Sequence, residues 1–126
     1  MPYDNPIRQE PPVYIIMESS PLIAEDIYGA LHAGGPCNVV KVTSVEELEM
    51  AIAPGGPVAA VFLEMRFEDV LVSPLYPALM LTGAKIVLTI GEDDETAVLG
   101  QGWAMLVRPF TEDMIHHSLR SSVREL

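Results

Sequence analysis

The chain has 126 residues, enough for one domain of ordinary size to bury a hydrophobic core without disulfides or metals. Its hydrophobic content is 49%, yet no apolar run approaches the roughly 18 to 20 residues that span a bilayer. Seven Lys and Arg against 18 Asp and Glu give a formal net charge of −11, which argues against nucleic acid and anionic membrane and favours a protein partner with a basic patch.

Residues 1–12, MPYDNPIRQEPP, carry four prolines and no apolar core of signal-peptide type. They are expected to form a flexible lead-in to a domain over 13–126, and the compartment expected is the cytoplasm. The first apolar run, Val13–Met17, leads to Ser20-Pro21, an N-cap followed by proline at the first helical position. The helix that follows ends at Gly34-Gly35. Its apolar residues Leu22, Ile23, Ile27, Tyr28, Ala30 and Leu31 wrap beyond one buried stripe, so Ile23 and Tyr28 are expected to meet a partner or a second copy in a homodimer. His32, near the helix end, is explained by the dipole. Cys37, the one cysteine, has no internal partner and is expected to be a buried structural thiol.

The second run, Asn38–Val42, precedes Ser44-Val-Glu-Glu47, a capping box, with Val45, Leu48 and Ile52 at amphipathic spacing before Pro54-Gly55-Gly56. After the third run, Val58–Leu63, a short helix starts at Ser73-Pro74 and stops at Gly83; Pro77 falls in its first turn, where it removes only one early hydrogen bond. The fourth run, Lys85–Thr89, leads into a weak helix over 91–100 with an acidic start, Glu92 to Glu95, which is a solvated helix entry and lacks calcium-loop spacing. Trp103 is assigned to packing. The fifth run, Ala104–Val107, precedes a helix from Thr111 with Met114, Ile115, Ser118 and Leu119 inward. His116 and His117 are about 100° apart on that helix, cannot share a metal, and are expected at the surface.

Strict alternation of buried-strand runs with helices predicts an α/β, doubly wound, five-stranded parallel sheet of flavodoxin-like order 2-1-3-4-5, with helices on both faces. Ligands of such sheets sit at the carboxyl ends of the strands. Those ends read Glu18-Ser19-Ser20-Pro21, Leu63-Glu64-Met65, Thr89 and Arg108-Pro109-Phe110.

In the order and spacing of these ends, residues 13–124 resemble the receiver domain of response regulators. The resemblance implies a strand-three Asp that accepts phosphate, with Mg²⁺ held by acidic residues after strand one, a hydroxyl after strand four and a Lys before Pro on strand five. Glu18 matches the first acidic position, but Ser19 stands at the second, Thr89 matches the hydroxyl and Arg108 replaces the Lys. The acceptor position aligns best with Leu63, which offers no nucleophile; a register slip of one would place Glu64 there instead, to imitate an aspartyl phosphate by pairing with Arg108. Very weak metal affinity follows from the lost carboxylates. The expectation is a pseudo-receiver without enzymatic activity, metal or cofactor, recognising a signalling protein such as a histidine kinase, phosphotransferase or regulator. A regulator phosphorylated through unusual ligands and a flavodoxin-like protein binding nucleotide or flavin are the alternatives. The resemblance also implies a cis Arg108-Pro109 bond.

Overall fold

Apolar blocks of four or five residues can be buried on both sides only if helices cover both faces of the sheet they form. The structure, a computed structural model describing residues 10–90 and 93–120, has that arrangement. Most of the lead-in segment, the positions Gly91 and Glu92, and the end of the domain lie outside the described residues. Strands β1 (Val13–Met17), β2 (Asn38–Val42), β3 (Ala60–Leu63), β4 (Lys85–Leu88) and β5 (Ala104–Met105) form one parallel sheet in the order β2-β1-β3-β4-β5. The fold is flavodoxin-like α/β.

Because strand side chains alternate, each inner strand feeds two cores. Ile15, Met17, Val61, Leu63, Ile86 and Leu88 face one helical layer, made by α2 (Val45–Ile52), α3 (Phe67–Val72), α4 (Leu75–Thr82) and α5 (Glu95–Gly100). Ile16, Ala60, Phe62, Val87 and Ala104 face the other, made by α1 (Pro21–Ala33) and α6 (Glu112–Arg120). Each fully buried Ile, Leu or Phe contributes about 1.5–3 kcal/mol. Trp103 closes the first core, edge-on to Phe67 at 5.4 Å between ring centroids.

The helix caps follow the sequence with instructive differences. Ser20 Oγ accepts from the Ile23 N–H at 3.5 Å, and Ser44 Oγ accepts from the Glu47 N–H at 3.1 Å. Glu47 reaches back past its N-cap, to the N–H of Thr43 at 2.8 Å. The α4 helix begins just after Pro74 and ends on Gly83 in the left-handed region, φ 72°. The α5 helix is shorter than expected, because Asp94 is its N-cap and accepts from the Ala97 N–H at 3.1 Å. Strand β5 also stops early, at Met105, leaving Val107 exposed.

The α3 helix has no counterpart in the sequence expectations. Six residues long and entered from Arg66 without a side-chain cap, it has its Phe67 N–H bound by Asp93 Oδ2 at 2.6 Å, from the loop after β4. Ile23 and Tyr28, where a partner is expected, also pack on the domain itself. Both are half-buried against the α1–α6 core, and Tyr28 is covered by the His32 ring at 4.4 Å and by Lys41 Nζ 4.7 Å from its centroid. Lys41 reaches from the edge strand β2 and is ion-paired with Glu25, so a charged side chain covers the apolar ring. His116 is likewise not a free surface histidine: its Nε2 lies 2.6 Å from the Ala30 carbonyl of α1. Cys37 is free and half-buried, and desolvation pushes its thiol up.

Candidate site at the carboxyl end of the sheet

Parallel strands in register bring the residue after each strand to one edge. The Glu18 N–H donates to the Val42 carbonyl at 3.1 Å, the Glu64 N–H to Met17 at 3.1 Å and the Thr89 N–H to Leu63 at 2.9 Å, so the ladder continues one residue beyond β1, β3 and β4. Glu18, Glu64 and Thr89 are thereby lined up, and Arg108 joins them from beyond β5.

Glu18 is the unusual member, a carboxylate only 3% exposed. It accepts from the Ser20 N–H at 3.2 Å and from Arg108 Nη2 at 3.1 Å. Arg108 Nε donates to the Thr89 carbonyl at 3.0 Å, which fixes the guanidinium over the end of β4. The Thr89 hydroxyl is buried, 3.2 Å from the Leu63 carbonyl and 3.5 Å from Glu18 Oε1. Burial holds the Glu18 carboxyl above the usual carboxylate range, and the Glu64 charge adds to this; the Ser20 N–H, Arg108 and Thr89 act against it. The Arg108 side chain is 35% exposed against 1% for Glu18, so the pair is buried on its acidic side and wet on its basic side.

Glu64 forms the second half of the site. Ser19 holds both its oxygens, through its N–H to Oε1 at 2.8 Å and its hydroxyl to Oε2 at 3.2 Å. The side chain of Leu63, the residue expected at the central position, is fully buried in the core under α2 to α5, so only the Leu63 carbonyl reaches the site, where it accepts from Thr89. The register Met17↔Leu63↔Leu88 is the reason, since it places Leu63 inside the last rung and Glu64 beyond it. The expected Glu64–Arg108 pairing is corrected too: Arg108 pairs with Glu18. Pro109 follows a cis peptide bond, as the resemblance implied.

The cluster therefore holds two carboxylates and one guanidinium whose hydrogen-bonding groups already engage one another. A hard divalent cation such as Mg²⁺ needs several oxygen donors anchored by carboxylates. Here Glu18 is held by Arg108 and Ser19 donates its hydroxyl to Glu64, so the donor set does not fit that ion. Asp93 was missed as a structural residue of this end of the sheet; its acidic run resembled nothing beyond a solvated helix entry. Among the described residues no helix is long and apolar enough to cross a membrane. Compared with known proteins, the chain matches no family model, no curated protein and no solved structure.

Proposed function

We propose that the chain is a pseudo-receiver: a cytoplasmic protein-interaction module of signal transduction that works without phosphorylation and without catalysis. The observation that carries this reading is Glu64, a carboxylate at the centre of the sheet end with both oxygens bound by Ser19. A phosphorylated receiver gains negative charge at this place; here a fixed charge of the same sign is built in. Arg108 is occupied by Glu18 and the Thr89 hydroxyl is already turned inward, so the groups that would respond to an incoming phosphate have partners. Recognition of a signalling protein such as a histidine kinase, phosphotransferase or regulator would then be constitutive.

The test is incubation with millimolar Mg²⁺ and acetyl phosphate, followed by intact-mass measurement. The expected result is an unchanged mass. A stoichiometric, base-labile phosphate adduct removes the reading.

A further inference from the structure

The flank of α1 turned toward α6 is more open than the one that carries Ile23 and Tyr28, which are half-buried. Leu22, Asp26, Gly29 and Ala33 recur at i, i+4, i+7 and i+11, a single stripe along the helix. At its amino end Leu22 is 79% exposed. Beside the stripe, α1 and the start of α6 enclose a groove of about 520 Å³ whose floor includes Ala30, Phe110 and Ile115. Gly29 leaves this groove unfilled: a Cβ added there meets nothing within 4 Å. The rim is acidic from both helices, with Asp26 on one side and Glu112 on the other; Glu25 also lines it but is already paired with Lys41.

We propose that this groove receives a basic amphipathic helix of a partner protein, one apolar side chain seated over Gly29 and its lysines or arginines against Asp26 and Glu112. The inference rests on the interaction-module reading and names its surface. Charge decides among occupants. A second copy of this chain would bring another net charge of −11 to an acidic rim, whereas a basic helix meets opposite charge and finds an apolar floor below it. The small residues Gly29 and Ala33 permit close approach of the incoming helix, and Leu22 extends the apolar contact toward the sheet end.

The probe is a helical peptide of leucine and lysine with one apolar stripe, beside a scrambled peptide of the same composition. Amide chemical shifts and anisotropy are recorded on the full chain. The stripe peptide is expected to shift α1 and α6 amides and to bind more tightly than the scrambled one, with affinity falling as salt rises. Gly29→Met, in a helix interior where a side chain also favours the helix, should fold normally and bind about tenfold more weakly. Ala33→Met is a second filling variant if the first is unstable. Equal binding of the two peptides, equal binding by a folded filling variant, shifts confined to another face, or no binding overturns the proposal. None of these results bears on the phosphodonor experiment, so the groove can fail while the module reading stands, and the reverse.

Discussion

Removing either partner of the Glu18–Arg108 pair should have very different costs. Arg108→Met leaves Glu18 charged, 3% exposed and beside Glu64, with the Ser20 N–H and the Thr89 hydroxyl as its remaining support. Orphaning a buried charge costs about 3–5 kcal/mol, and the lower end applies because one backbone donor remains. Glu18→Gln instead leaves a guanidinium that is 35% exposed and still bonded to the Thr89 carbonyl, so its charge returns to water and the loss should stay within about 1 kcal/mol. The pH dependence carries the same asymmetry. Glu18 has a folded pKa above its ordinary value of 4.5, so the native state takes up the proton first and stability is gained as pH falls through that raised pKa toward 4.5. Without Arg108 the raised pKa moves higher, so the Arg108→Met loss should be smaller at pH 5 than at pH 7.5. Urea denaturation at pH 7.5 and pH 5, followed by the emission of buried Trp103, measures both effects. Equal costs for the two variants, or an Arg108→Met loss independent of pH, would refute this electrostatic account.

Asp93→Ala removes the cap on Phe67 and should cost about 1 kcal/mol, with faster hydrogen exchange at the Phe67 amide as its local signature. Phe62→Ala opens a cavity at a fully buried position on the α1–α6 side and should cost about 3–5 kcal/mol in the same urea titration. Gly83→Ala forces a side chain into the left-handed conformation that ends α4 and should lose about 1 kcal/mol, visible as a lower melting temperature.

The sheet was legible because its strands are short apolar blocks separated by caps and glycines, and each such signal is local. Ser20-Pro21, Ser44 and Gly83 do in the structure what their sequence contexts predict. Reading failed where the deciding contact is distant. The α3 helix is capped by Asp93, which lies 26 residues from the amide it binds. Tyr28 looked like surplus apolar surface because Lys41, on strand β2, supplies its cover. At the candidate site the members Glu18, Ser19, Thr89, Arg108 and Pro109 could be named from the strand ends, but choosing between Leu63 and Glu64 required the pairing register of β3, which a run of apolar residues leaves open by one. The partner of Arg108 could not be chosen either, since two carboxylates were available and only their positions in space distinguish them.

The cap that Asp93 provides for α3 bears on the order in which the molecule assembles. A helix of six residues with no local cap has little stability alone, since its nucleation cost is not recovered over so few turns. Its first N–H finds a partner only after the chain has gone on through α4 and β4 and turned back over the sheet. Helix α3 should therefore be absent from the folding transition state and form on the native side of the barrier. Substitutions within it, such as Val70→Ala, should then accelerate unfolding while leaving the refolding rate almost unchanged. The surface around α3 would be among the first to open when the native protein fluctuates, while the strands beneath it stay paired.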